Sequence, residues 1–227
     1  MLVAISASHG RYALTKLWAE HTVSLGFDRV ITAMTEPAYP YDIEFMQRLG
    51  FMCFGYPNSP LAGKFNAAMG FALRMGATRI MILPDDDFVS QEWVDAARAS
   101  TEDYMIPHAC GVYSPGTDEA YLIHKFSAGT LRFGAGRVVS RKAVEKCGEL
   151  WTPTINRGLD TASHHRLMDN GFTHKIVTTS TIPITDVKTS ENIWPASTWR
   201  MGSKDITLDE ALHMVSPSIR ERLKTIR

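Results

Sequence analysis

Along the first hundred positions the apolar residues switch repeatedly between unbroken runs and helical stripes. "LVAIS" (2–6) is a short run without polar alternation, the pattern of a buried strand. Leu14, Leu17, Trp18 and Leu25 then recur at helical spacing between Tyr12 and Leu25, and Gly26 is a natural C-terminal stop. "RVITAM" (29–34) predicts a second strand, rich in β-branched residues and followed by the loop "EPAYPY". "FMCF" (51–54) predicts a third, closed by the turn-rich "GYPNSPLAG". Phe65, Ala68, Met69, Ala72 and Leu73 fall on one face of a helix that Gly76 ends. "RIMIL" (79–83) is mostly apolar, as in a strand covered on both faces of a parallel sheet.

Strand, helix, strand, strand, helix, strand in this order predicts an α/β architecture with a mostly parallel sheet flanked by helices. The second half is less regular. "GAGRVVSRKAVEKCG" (134–148) predicts a strand turning into a short helix, and Leu159, Ala162, Leu167 and Met168 predict a helix from Leu159 to Gly171. "HKIVTTSTIPI" (174–184) is strand-like, and two short helices are expected after Thr207. No repeat or low-complexity linker interrupts the chain. Residues 1–227 are therefore read as one domain, with a nucleotide-binding half at 1–100 and an acceptor half at 101–227.

Charge adds little direction: 24 basic residues balance 24 acidic ones among 227, which gives no bulk attraction to nucleic acid or membrane. Cys53, Cys110 and Cys147 are widely separated and form no C-x-x-C pair, so a disulfide framework or structural zinc site is not expected. The N-terminus lacks a signal-peptide pattern, and no apolar stretch approaches the ~20 residues of a membrane span. A soluble cytoplasmic protein is the expectation.

The sharpest local feature is "LPDDDFVS" (83–90), three carboxylates directly after an apolar strand. Ionised together in a half-buried place, Asp85, Asp86 and Asp87 would repel strongly. Two explanations compete. Ser90 can cap a helix running through Trp93 and Ala97, with the acids as a polar lead-in near its positive end. Alternatively the acids cage a hard divalent cation, which takes oxygen ligands and commonly shares them with a substrate's phosphates. Ligand crevices of open α/β sheets lie beyond the carboxyl ends of the strands, and the triplet lies at such an end.

Taken in order, "LVAIS", "SASHGR", "GKFNAAMGFALRMGATRIMILPDDDF" and "GLDTASHHRLMDNGF" resemble a GT-A glycosyltransferase of the family-2 type over residues 2 to 188. The resemblance implies a GT-A fold, an Mn²⁺ or Mg²⁺ cofactor, and a nucleotide-diphosphate sugar as donor, foremost a UDP-sugar. One family feature is missing: "TAMTEPA" stands where an Asp-Gly-Ser is usual after the second strand, with Asp42 and Glu36 as candidate replacements.

The resemblance assigns roles residue by residue. Ser6, Ser8 and Arg11 of the first loop, Lys64 and Asn66 at the start of the third helical segment, and Asp85 and Asp86 fall to donor binding. Asp87 is the first choice as metal ligand, with Asp85 sharing that task. Asp186 could complete the metal shell, and Lys188 could neutralise the leaving diphosphate. Asp160 corresponds to the acid that takes the acceptor hydroxyl's proton in inverting transferases, a task set by the weak nucleophilicity of a neutral alcohol. His164 or His165 could line the acceptor site or simply be solvated. Gly134 and Gly136 could admit a sugar or base, or allow tight strand packing. Trp194 and Trp199 could stack on a sugar or pack internally.

The resulting expectation is metal-dependent transfer of a sugar to an acceptor hydroxyl with inversion. The acceptor would be a glycan or, secondarily, a hydroxymethylated base of phage DNA. A basic surface from Arg132, Arg137 and Arg141 to the C-terminal "RERLKTIR" would favour DNA. The alternatives are a sugar-nucleotide nucleotidyltransferase and a non-catalytic nucleotide- or glycan-binding protein.

Overall fold

The computed structural model describes residues 1–35, 40–124, 134–190, 192, 200 and 203–226. Four segments of the N-terminal half are strands of one sheet: β1 (Leu2–Ser8), β2 (Arg29–Thr35), β3 (Met52–Tyr56) and β4 (Arg79–Ile82). Helix α1 (Tyr12–Thr22) joins β1 to β2, α2 (Pro40–Arg48) leads into β3, and α3 (Leu61–Arg74) joins β3 to β4. Gly26 and Gly76 follow α1 and α3 with φ of 69° and 86°, left-handed positions that glycine adopts without a Cβ penalty. Helix α2 was not foreseen: it begins inside the expected "EPAYPY" loop, and Asp42 falls on it.

β5 (Asp87–Val89) and α4 (Gln91–Ala99) follow the acidic turn, and β6 (Tyr104–Pro107), β7 (Ala109–Ser114) and β8 (Glu119–His124) come next. Then follow β9 (Val138–Ser140), α5 (Arg141–Cys147) and α6 (Leu159–Asp169). The chain continues through β10 (Lys175–Val177), β11 (Ile184–Val187), β12 (Lys204–Asp205), α7 (Leu208–Ala211) and α8 (Pro217–Leu223).

The first sheet has the order β10-β6-β9-β4-β1-β2-β3. β1 to β4 run parallel, and β9 inserts antiparallel between β4 and β6. A second sheet, β12-β8-β7-β11-β5, is mainly antiparallel; only β11 and β7 run parallel. The mostly parallel expectation thus describes the first sheet and not the second. The single strand read at 174–184 is two: β10 pairs with β6 in the first sheet and β11 crosses into the second.

Alternation along β1 divides the interior. Val3 and Ile5 face α3, α5 and α6 through Phe65, Met69, Val144 and Leu167. Leu2 and Ala4 face α1, α4 and the second sheet through Leu17, Trp18, Trp93 and Phe88. Each fully buried leucine, isoleucine, valine, phenylalanine or methionine among them stabilises by about 1.5–3 kcal/mol. The short strands β5, β9 and β11 are buried at every position, so packing rather than propensity holds them. Among the described residues no helix is long and apolar enough to cross a membrane.

Candidate active site

The acids lie where β4 gives way to β5. Leu83 donates its N–H to Ile5 C=O at 2.9 Å, keeping the chain beside β1, and Asp87 N–H bonds back to Pro84 C=O at 3.1 Å. Asp85 and Asp86 occupy the tip of this tight turn, and Asp87 opens β5. Ser90 accepts from Trp93 N–H at 3.2 Å and caps α4. The capping explanation of the sequence is therefore realised, by Ser90, and leaves the acids for other work.

They divide into two groups. Arg11, at the start of α1, donates one Nη to Asp85 Oδ1 and the other to Asp86 Oδ2. Thr15, one helical turn on, donates to Asp85 Oδ2 at 2.6 Å, and Asn192 Nδ2 donates to Asp86 Oδ2 at 2.6 Å. Burial would raise the Asp86 carboxyl, but Arg11 and Lys188 outweigh it and hold the group below the usual carboxylate range. Burial likewise disfavours the Arg11 cation, and Asp85 and Asp86 more than restore it.

Asp87 is different. It stands directly opposite Asp186 of the antiparallel β11, so both side chains share one face of the second sheet. Both residues are buried, and Asp87 Oδ1 and Asp186 Oδ1 have no hydrogen-bond partner among the described residues. Lys188 bonds the other oxygen of Asp186 at 2.5 Å. Burial, then Asp186 and Asp86, push Asp87 well above its ordinary value; burial pushes Asp186 up to about 6. Two buried oxygens without partners among the described residues, on carboxyls paired across the ladder that resist ionising together, fit a hard divalent cation completed by phosphate or water. Among the described residues no three His, Cys, Asp or Glu side chains converge on one point. Asp85, expected to share the cation, instead has both oxygens bound by Arg11 and Thr15.

At the carboxyl ends of β1 and β2 the polar groups gather around Lys64. Its ammonium donates to Ser8 C=O, to Thr35 Oγ1 at 2.9 Å and to Asn58 Oδ1 at 3.4 Å. Lys64 is buried, not solvated, and desolvation lowers its pKa to about 8. His9 Nδ1 lies 3.0 Å from Thr35 Oγ1. Thr35 thus ends the strand after which the family's Asp-Gly-Ser is missing. Ser8 Oγ lies 3.3 Å from Thr15 Oγ1, and the buried Ser6 Oγ has no partner among the described residues.

Asp160 is in the first turn of α6, whose N-cap is Gly158 at φ 69°. It is exposed at the surface. Partial desolvation there raises its carboxyl, and Arg137, the Gly134 N–H and Lys188 oppose the rise. A Cβ at Gly134 would lie 1.9 Å from Asp160 Oδ1, so the glycine is needed for close approach to this carboxylate rather than to a sugar. Asp160 also contributes to the rise at Asp87, which puts both acids on one electrostatic site.

Asn66 goes elsewhere than expected. It bonds the Trp151 backbone with both ends of its carboxamide, Nδ2 to C=O at 2.7 Å and Oδ1 from N–H at 3.4 Å. Trp151 Nε1 in turn donates to Leu159 C=O at 3.0 Å, at the start of α6. Asn66 is therefore a prop between α3 and α6, not a donor contact. His164 is buried and shares a 2.8 Å hydrogen bond with Tyr104 Oη, while His165 is exposed.

Among the described residues, the basic groups expected to form a surface for DNA are buried or ion-paired. Arg137 is buried, Arg141 pairs with Glu145, Arg220 with Asp209, Arg222 with Glu20 and Lys224 with Glu221. Glu36, Arg132, Trp194 and Trp199 lie outside the described residues. Sequence reasoning missed Thr15, Thr35, Asn58 and Asn192. Only Thr15, four residues after Arg11 on a helix, carried a usable signal.

No protein-family model matches the chain, and no curated protein matches it. Solved structures do. Staphylococcus aureus TarS 1-349 superposes with a TM-score of 0.62 at 9% identity, over 82% of this chain and 60% of that one. Its complex with UDP gives 0.61 at 10% identity, over 83% and 60%. The chain thus spans about three fifths of the TarS fragment. The inositol-1-phosphate CTP transferase of T. maritima gives 0.57 at 10% identity, over 97% of this chain and 94% of that one. The chain has the GT-A-like α/β fold that glycosyltransferases and nucleotidyltransferases share.

Proposed function

We propose that the protein is a metal-dependent glycosyltransferase acting on a nucleotide-diphosphate sugar. The observation that carries this reading is the Asp87–Asp186 pair with its two orphaned oxygens, set on one electrostatic site with Asp160. A divalent cation held by Asp87 and Asp186 would supply positive charge for the donor diphosphate. Lys188, bonded to Asp186, adds a second cation beside that group and favours the charge that grows on the departing phosphate. Asp160 accepts the proton of the acceptor hydroxyl as that oxygen attacks the anomeric carbon and the bond to the diphosphate breaks. The carboxyl ends of β1 and β2, with Ser6, Ser8, Thr35 and Lys64, receive the nucleoside. A glycan suits the neutralised surface better than DNA does, since phosphate contacts demand unpaired basic groups.

A second reading is a nucleotidyltransferase, favoured by the near-complete mutual coverage with the T. maritima CTP transferase. Against it, the loop after β1 has one glycine, Gly10, where phosphate-cradling loops are glycine-rich.

Thermal melting with UDP-glucose, UDP-galactose, UDP-N-acetylglucosamine and CTP, each with and without Mn²⁺, tests both readings. The first predicts an Mn²⁺-dependent rise with one UDP-sugar that Asp87→Asn abolishes. A rise with CTP alone, accompanied by pyrophosphate release when sugar phosphates are added, would replace it with the second. No rise with any ligand would remove both.

A further inference from the structure

Arg137 is among the largest fully buried side chains of the described residues, and nothing in the chemistry above uses it. It comes from the "GAGR" segment just before β9. Its backbone is anchored first: Arg137 C=O accepts from Ile82 N–H at 2.8 Å, and Gly136 N–H donates to Ile82 C=O at 2.7 Å. The guanidinium therefore projects from the end of β4, the same strand that delivers the acidic turn. One Nη donates to Ser163 Oγ, and the other to Asp160 C=O at 3.1 Å. Ser163 Oγ lies 2.8 Å from Leu159 C=O. The guanidinium also sits 5.5 Å from the centre of the Tyr104 ring, whose hydroxyl meets His164 one turn along α6.

A buried arginine needs a reason, because desolvating the cation is costly unless it is bonded and balanced. Here it grips the first turn of a helix that has no side-chain N-cap. We propose that Arg137 is a positioning residue for the acceptor-side acid: it fastens the first turn of α6 to the end of β4 and supplies the positive charge that faces Asp160. The proposal rests on the reading of Asp160 as the base. The other charged groups that act on Asp160 are Lys188, after β11, and Asp86, in the β4–β5 turn; Asp160 in turn acts on Asp87. Lys188 is bonded to Asp186 and Asp86 opposes ionisation, which leaves Arg137, with the Gly134 N–H, to favour the ionised acid. A base is useful only in that form.

The test needs no substrate. In a chain labelled with ¹³C at aspartate Cγ, Asp160→Asn assigns the Asp160 resonance, and its titration is followed in wild type, Arg137→Met and Arg137→Lys. The midpoint should rise by about one pH unit in Arg137→Met, the lower end of what a neighbouring cation contributes. In Arg137→Lys it should stay within about 0.3 unit, while exchange of the Ala162 amide, which bonds Gly158 C=O and closes the first turn of α6, quickens about fivefold, as for one lost hydrogen bond. An unmoved midpoint in folded Arg137→Met overturns the proposal. Should that variant not fold, Arg137→Lys decides alone: wild-type exchange in the first turn of α6 overturns it, and faster exchange at a held midpoint upholds it. Turnover separates this from the wider reading. If Asp160→Asn retains UDP-sugar turnover, Asp160 is not the base, whatever the titration shows.

Discussion

Asp85 and Asp87 are two residues apart on one turn, and the surroundings of each are opposites. Asp85 is tied to Arg11 and Thr15, with a donor for each oxygen. Asp87 faces another carboxylate across a strand ladder and keeps an oxygen with no donor among the described residues. The first arrangement is how a protein makes a buried charge tolerable; the second is how it keeps one in reserve for a ligand. A motif of three consecutive acids is therefore two devices. Asp85 and Asp86 hold α1 against the end of β4, and Asp87 joins Asp186 in the candidate cation site.

The largest effect should come from Asp87→Asn. Turnover of the donor found by melting should fall at least about a thousandfold, the several kcal/mol that a cation-held charge contributes. The ligand-free protein should melt no lower than wild type, because a like-charge contact has been removed. A destabilised Asp87→Asn with near-normal turnover would break the comparison. Asp85→Ala should behave the other way. Arg11 keeps Asp86 but loses its second carboxylate, at a cost of about 1.5–3 kcal/mol, read as a lower denaturant midpoint at unchanged slope.

Opposite pKa displacements sharpen the contrast next. Asp186 is raised to about 6, so between about 3.9, the unfolded value, and 6 the native state binds the extra proton. Its effect is stability that declines as pH climbs through that window. Asp86 is lowered, so its contribution is present at neutral pH and is lost as pH falls below the usual carboxylate range. Urea titrations from pH 3 to pH 8 should show both limbs; Asp87, raised for the same reasons, adds to the upper one, so Asp186→Asn should make that limb shallower and leave the lower one unchanged. Because a cation competes with those protons, Mn²⁺ should raise the melting temperature more at pH 7.5 than at pH 5.

How far the sequence could be read follows the same division. β1, α1, β2, α3 and β4 were legible because each buries a continuous face, which writes a period into the chain. β5 and β11 were not: they have three and four residues, and their partners come from distant segments, as when β11 inserts between β5 and β7. The acids were visible as residues, but their roles depend on what crosses over to meet them. Arg11 reaches Asp85 from 74 positions away, and Asn192 reaches Asp86 from 106. Asn66 failed for the same reason, since its partner Trp151 is 85 positions distant. Local spacing carries no trace of such pairings.

The smallest effect belongs to Ser90, and it isolates the capping role from the acids. Ser90→Ala removes the acceptor for Trp93 N–H at the start of α4. The expected cost is about 1 kcal/mol, typical of a lost N-cap. Trp93 is fully buried and its indole N–H holds Gly136 C=O at 2.8 Å, so loosening α4 also reaches the segment that carries Arg137. Binding of Mn²⁺ and the nucleotide sugar should nonetheless persist, because neither Asp87 nor Asp186 bonds to that cap. If Ser90→Ala instead abolished the Mn²⁺-dependent melting shift, cap and cation site would be one structural unit. The separation drawn between Asp85 and Asp87 would then have to be redrawn around the whole β4–α4 connection.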